Sequence, residues 1–356
     1  MQPNIRRLRP MGIADILDEM VELYKTSFTL LIGIAAVMHV PYSFFTQYYL
    51  MQLMPSMSVT QPADPTAVMK RLPALLGAIG ISYLYLFIVT PVVTGALTIA
   101  ISERYLGHSV TIGSCFRRVL KVKVFFPLLG LIFLKGIATS APILIIGVLI
   151  GVMAVGAGAM GSTAGFVLVV MAGIVLFLGA IAAVIYLTLR LLLAEPSLIV
   201  ESCGTMNALA RSWTIMPGSI VKGLGLILLV GLISGMVPSI VSYPTRMVLA
   251  MGLVNGAGMN HLVLVVHSII TAMADTLVAP LISIASILLY YDIRIRKEGF
   301  DLMLLANEMG AKPPEGAYGV PVMPQEQPTM QYPQEVQQPY QEQVPPGDGR
   351  GGGIEQ

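Results

Sequence analysis

Long apolar runs alternate with short polar segments along the chain. Runs with the length of a span fall at about 27–50, 73–101, 124–152, 163–193, 218–242 and 262–291. Each reaches the ~20 residues that cross ~30 Å of hydrocarbon at ~1.5 Å per residue. None alternates apolar with polar as a barrel strand does. In lipid every backbone N–H and C=O needs a partner within its own segment, so these runs predict helices. The expected fold is all-α, a polytopic transmembrane helical bundle of about six spans. Residues 27–310 form the membrane domain, after a cytoplasmic N-terminus at 1–26 and before a tail at 311–356. Glycines cluster from Gly151 to Gly161 and predict a tight turn between spans three and four. The alternative is a helix-packing face of small residues.

A period of about 95–100 residues overlies this pattern. Three polar-to-amphipathic segments each lead into a span: Met11–Phe28, Thr111–Phe125 and Gly204–Ser219. Each of these spans carries a proline at nearly the same interval: Pro41 after Met11, Pro142 after Thr111, and Pro238 after Thr205. The interval from Pro91 to Arg104 nearly matches that from Pro280 to Arg294, but the middle unit has no counterpart. The expectation is three units, each an interfacial helix plus a transmembrane hairpin. In the first segment Ile13, Ile16, Leu17, Met20, Leu23 and Tyr24 share one helical face, and Asp15, Asp18, Glu19 and Glu22 fill the other. Such a helix suits the headgroup boundary. Its acidic face is expected to pack against Arg117–Lys123 or Arg294–Lys297.

Charge sets the expected orientation. With the N-terminus inside, fifteen Lys and Arg fall on inner segments: Arg6, Arg7, Arg9, Lys25, Arg104, Arg117, Arg118, Lys121, Lys123, Arg190, Arg211, Lys222, Arg294, Arg296 and Lys297. Only Lys70, Arg71 and Arg246 fall outside. That bias predicts both termini in the cytoplasm and a cell-membrane location. Composition agrees with a lipid solvent: 55% of residues are hydrophobic and only 11% charged, against roughly 25% charged in a soluble domain. A net charge of +2 gives no nucleic-acid footprint. No cleavable leader is expected, because Asp15, Asp18, Glu19 and Glu22 precede an apolar run too long for a leader core.

Catalytic chemistry is not legible. Cys115 and Cys203 lie far apart, and no His or Cys neighbours either at metal-ligand spacing. His39, His108, His261 and His267 are likewise scattered. No GxxxxGK[ST] loop is present. The expectation is a non-enzymatic protein with no cofactor and no metal.

Three stretches resemble a known family. They are Arg9-Pro10 through Ile16-Leu17-Asp18 to Tyr24-Lys25 and Phe28; Glu195-Pro196 with Ala208-Leu209-Ala210-Arg211-Ser212-Trp213; and Tyr290-Tyr291-Asp292-Ile293-Arg294 through Asp301. Together they resemble the membrane domain associated with bacterial and archaeal glycerophosphoryl diester phosphodiesterases, over residues 5–305. The resemblance implies a multi-span membrane domain. It does not imply an enzyme: in fused members the chemistry belongs to a separate soluble barrel, which needs about 250 residues.

Two groups of candidate residues stand out. Lys135 and Asp275 are ionisable groups within predicted spans, which are functional candidates by default. They form a candidate intramembrane pair, either a proton or substrate relay or a structural contact. Arg190, Glu195, Arg211, Asp292 and Arg294 form a candidate cluster at the cytoplasmic interface, either as topology anchors or as a site for lipid phosphate. The tail at 311–356 is rich in Pro, Gln, Glu and Gly and is expected to be disordered. The functional expectation is a module that organises or handles membrane lipid, or a partner subunit docked through its cytoplasmic helices or tail. The alternative is a secondary transporter with a mid-membrane polar site.

Overall fold

A computed structural model describes residues 10–53, 73, 76, 77, 79–159, 163–254 and 261–299. The expectations for the tail at 311–356 and for Lys70 and Arg71 fall outside them. The described residues are all-helical: α1 (Ile13–Thr26), α2 (Phe28–Leu53), α3 (Thr90–Tyr105), α4 (Ile112–Val119), α5 (Val122–Ala159), α6 (Thr163–Arg190), α7 (Ala194–Val200), α8 (Thr205–Ile215), α9 (Ile220–Val254) and α10 (His261–Glu298). A π-turn at Tyr85–Val89 leads directly into α3. Five helical stretches are long and apolar enough to cross a membrane, and a sixth follows if the bent pair α1 and α2 counts as one span.

Short amphipathic helices precede three of the long ones: α1 before α2, α4 before α5, and α8 before α9. Local chemistry starts the first two. The Asp15 carboxylate accepts from the Gly12 N–H at 2.7 Å and fixes the first turn of α1. Thr111 and Ser114 cap α4 reciprocally, each side chain accepting from the other's backbone N–H at 3.4 and 3.2 Å. Gly107 and Gly218 turn the chain after α3 and α8 with φ of 87° and 86°, a conformation that costs a side chain its Cβ clearance. α1 meets α2 at 78°. It runs antiparallel along the second half of α10. The Met11 N–H reaches Asp292 at one end, and the Tyr24 hydroxyl donates to the Leu277 carbonyl at the other. Ile16, Met20 and Leu23 are its buried stripe.

α5 ends at Ala159, within the predicted turn at Gly151–Gly161, but helix takes up most of that stretch. The helix continues through Gly151 and Gly156 to Ala159. In lipid a broken backbone would leave N–H and C=O groups without partners, and that cost exceeds glycine's ~1 kcal/mol helix penalty. Gly147, Gly151 and Gly156 have open space around them, because a Cβ on any of the three would meet nothing within 4 Å.

Burial divides the bundle lengthwise. α5 and α10 have 38 residues and α9 has 35. At ~1.5 Å per residue these helices run roughly 52–57 Å, well beyond ~30 Å of hydrocarbon. Tilt absorbs only part of such an excess. Burial within the chain is concentrated towards one end. Ala96, Ile101, Cys115, Val119, Leu128, Leu193, Ala208 and the run Ile287–Ile293 are buried there, around the basic segments. Towards the other end apolar side chains face outward: Leu144, Val148 and Val152 on α5, Leu168, Met171 and Val175 on α6, and Leu232 and Ile240 on α9.

Gly95 marks a close approach of α3 to α4 and α5 in the packed end. A Cβ there would lie 2.7 Å from Leu128 Cδ2 and 3.1 Å from both Val119 methyls. Gly95→Leu is expected to lower the melting temperature in detergent through overpacking of about 1–3 kcal/mol. Gly147→Leu, facing open space, is expected to leave it unchanged.

Candidate functional site

The packed end holds two charge networks built from residues distant in sequence. The first centres on Asp292, which has no solvent exposure. Oδ1 accepts from the Met11 N–H at 2.7 Å and from Arg296 Nε at 3.0 Å, and Oδ2 accepts from Lys222 Nζ at 2.5 Å. Lys222 and Arg296 also donate to the Met11 carbonyl, at 2.5 and 2.8 Å. One carboxylate and one peptide unit thus join the lead-in to α1, the start of α9 and the last turns of α10.

The second network joins the loop after α7, α8 and α10. Arg211 pairs with Glu201 at 2.9 Å and with Glu298. Arg294, almost fully buried, donates to Glu298 at 3.0 Å and lies 4.0 Å from Glu201. The Tyr290 hydroxyl donates to Glu201 at 2.6 Å, and the Arg294 guanidinium sits 5.6 Å from the Tyr290 ring centroid. Burial pulls the Arg211 guanidinium's pKa down, but hydrogen bonds and attraction from Glu201 and Glu298 outweigh it and hold it above the usual value. Beside this network Tyr291 and Ser102 share a hydrogen bond of 2.5 Å, which ties α10 to α3. Lys297 donates to the Ile215 and Pro217 carbonyls at 2.8 and 2.5 Å, closing the end of α8.

The expected five-residue cluster is therefore divided. Arg211 and Arg294 share Glu201 and Glu298, while Asp292 belongs to the other network. Arg190 stands apart: Nε donates to the Tyr186 hydroxyl and NH1 to the Trp213 carbonyl, both at 2.9 Å. Its guanidinium carbon lies 4.5 Å from the Trp213 ring centroid and 5.3 Å from that of Tyr186, cation–π distances. Glu195 pairs with Lys135 at 2.9 Å.

Lys135, half of the candidate pair with Asp275, thus has an ion-pair partner in α7. From Lys135 to the end of α5 at Ala159 the helix rises roughly 36 Å at ~1.5 Å per residue, beyond one hydrocarbon thickness. Lys135 thus belongs to the packed end, where the short α7 brings Glu195 to it. Asp275 lies in the lipid-facing half, roughly 21 Å along the axis from the start of α10 at His261. It is close enough to Tyr85 of the π-turn to act on it electrostatically.

Sequence reading did not find Glu201, Glu298, Lys222 or Arg296. Most of their partners lie far away in the chain, and helix spacing reveals only the short-range pairs Asp292–Arg296 and Arg294–Glu298. At the start of α1 the acidic face contributes Asp15, whose carboxylate accepts from the Gly12 N–H. The basic groups that reach this region, Lys222 and Arg296, meet the Met11 carbonyl ahead of the helix.

A smaller polar group lies in the lipid-facing half. His267 is buried, and its Nδ1 is 2.7 Å from Thr245 Oγ1. His267 Nε2 and Thr271 Oγ1 are buried with no hydrogen-bond partner among the described residues. Together with Asp275 they follow i, i+4, i+8 spacing along one face of α10. Among the described residues no group of three His, Cys, Asp or Glu is arranged to hold a metal ion.

No protein-family model, curated protein or solved structure matches this chain.

Removing one partner of a buried pair leaves an uncompensated charge, at about 3–5 kcal/mol. Asp292→Ala is therefore expected to abolish or sharply lower the detergent melting transition. Arg296→Ala removes a side chain that is 47% exposed and is expected to cost under about 1 kcal/mol. Equal effects from the two would contradict the central place given to Asp292.

The two thiols offer a separate check on this end. Burial pushes the pKa values of the Cys115 and Cys203 thiols above the usual value. Since the thiolate is the reactive form, both are expected to label slowly with maleimide near neutral pH. Cys115 is fully buried and Cys203 partly exposed, so Cys115 is expected to label only after unfolding, and Cys203 sooner.

Proposed function

We propose that the protein is a non-enzymatic membrane module that organises or handles membrane lipid, alone or as a subunit of a larger membrane assembly. The observation that carries this reading is the internal pairing of the charged mouth. Arg190, Arg211, Arg294, Asp292, Glu195, Glu201 and Glu298 all have partners within the chain. Paired this way, they form no open polar site for a solute. What the bundle presents outward is apolar, and the occupants suited to such a surface are lipid chains and other membrane helices. In this reading the Lys and Arg bias puts the packed end on the cytoplasmic side.

The resemblance to the membrane domain of glycerophosphoryl diester phosphodiesterases supports the same reading. The stretches that carry it meet in the packed end. Asp292 binds Met11, next to Arg9-Pro10; Arg211 binds Glu298; and Tyr290 binds Glu201. In this proposal the motif encodes how the packed end locks together, and chemistry, where present, belongs to a partner domain.

A transporter is the second reading. Its motive is the stripe of His267, Thr271 and Asp275, with two buried polar atoms lacking partners. Cysteine accessibility separates the two readings. Single cysteines at 135, 267 and 275, in a background lacking Cys115 and Cys203, are treated in native membranes with a water-soluble maleimide. The lipid reading expects positions 267 and 275 to be protected and 135 to label from the cytoplasmic side. Labelling of 267 and 275 from water would make transport the better reading.

A further inference from the structure

The elbow between α1 and α2 contains a groove of about 500 Å³ lined by Val21, Tyr24, Lys25, Phe28 and Leu281. Among the described residues, all of its walls but Lys25 are apolar or aromatic. Val21 and Phe28 are over 40% exposed on its rim. The Tyr24 ring meets Phe28 edge-on at 5.5 Å, and its hydroxyl is engaged by the Leu277 carbonyl, so the ring presents an apolar face held in place. Lys25 is exposed and has no ion-pair partner among the described residues. α2 begins at Phe28, so the positive end of its dipole lies beside the Lys25 charge. None of the α1 carboxylates Asp18, Glu19 or Glu22 lines the groove.

Depth selects the occupant. The rise along α10 from its start at His261 to Leu281 is roughly 30 Å at ~1.5 Å per residue, one hydrocarbon thickness. The groove therefore opens at headgroup level on the packed side. There an apolar wall meets acyl chains while a cation meets phosphate. We propose that this groove holds one anionic glycerophospholipid of the surrounding leaflet. The phosphate lies on Lys25 Nζ near the α2 N-terminus, and an acyl chain runs along Val21, Phe28 and Leu281. The proposal rests on the lipid-handling reading and gives it a binding site.

The test measures binding of phosphatidylglycerol and phosphatidylcholine to the detergent-solubilised, delipidated full chain by native mass spectrometry. The wild type is expected to bind phosphatidylglycerol more tightly. Lys25→Gln is expected to weaken it at least about fivefold, the effect of one basic residue at an anionic membrane surface. Val21→Trp, which keeps the charge but fills the groove, is expected to weaken both lipids. Lys121→Gln, an exposed lysine elsewhere, is expected to change neither. A wild type that binds phosphatidylglycerol with Lys25→Gln and Val21→Trp unaffected overturns the groove and leaves lipid handling standing. A wild type that binds neither lipid overturns both.

Discussion

Asp292 has no solvent exposure and accepts hydrogen bonds from a backbone N–H, a lysine and an arginine. A carboxylate taken out of water loses several kcal/mol of solvation, and only close, well-directed donors offset that loss. Here the donors come from three parts of the chain: the lead-in to α1, the first turn of α9 and the last turns of α10. The carboxylate is satisfied only when all three are in place. The same geometry satisfies the Met11 carbonyl, which would otherwise be a buried acceptor ahead of a helix. Apolar contact between α1 and α10 tolerates sliding by a turn, whereas this constellation does not. It therefore sets the register of the packed end.

The neighbouring network follows the same logic with its charge balanced. Two carboxylates, Glu201 and Glu298, face two guanidiniums, Arg211 and Arg294, and the Tyr290 hydroxyl adds a further donor. Arginine suits this place because it stays charged when buried and its planar fork reaches two acceptors at once. The network joins α8 to α10 as the first joins α1 and α9 to α10, so α10 is the element that both networks share. Its last turns carry Tyr290, Tyr291, Asp292 and Arg294, all buried, in a helix that a hydropathy reading treats as the frayed end of a span.

What the sequence reveals and what it hides divide along that line. The helical class and the positions of the spans follow from a constraint local to each segment, since lipid requires internal backbone pairing and a length of ~20 residues. The short helices before α2, α5 and α9 are also legible, from polar-to-amphipathic patterning and, in the first, helical spacing. The charge partners are not. Lys135 meets Glu195 across 60 residues and Arg211 meets Glu298 across 87, and no periodicity encodes either contact. Placing Lys135 inside a span assumed that the apolar run of α5 begins at the lipid boundary. Its partner Glu195 comes instead from the short α7, and a run such as Phe125–Leu134 is apolar in part because Leu128 and Leu131 pack on protein. The glycines from Gly151 mark the stretch in which α5 ends, but that end, at Ala159, comes late in it, for a related reason. A soluble chain would break there, but a helix tip in lipid has nowhere to place unpaired backbone groups.

The lengthwise division also limits how the two halves influence each other. The lipid-facing half has few cross-chain polar contacts among the described residues, and its helices can tilt or shift at small cost. The packed end cannot, because each charge there depends on partners in other elements. The elbow at residues 26–28 lies between these regimes. α1 is fixed to α10 at Met11 by the Asp292 network and at Tyr24 by one hydrogen bond to Leu277, a carbonyl in the turn before Pro280. Proline lacks the N–H that would engage the preceding turn, so this segment of α10 is the place where the helix bends most easily. A lipid held at the elbow would touch the rigid α1 and the more pliable start of the spanning region at once. Occupancy of the groove would then bear on the angle between α1 and α2 rather than on the packed end, whose geometry the buried charges already fix.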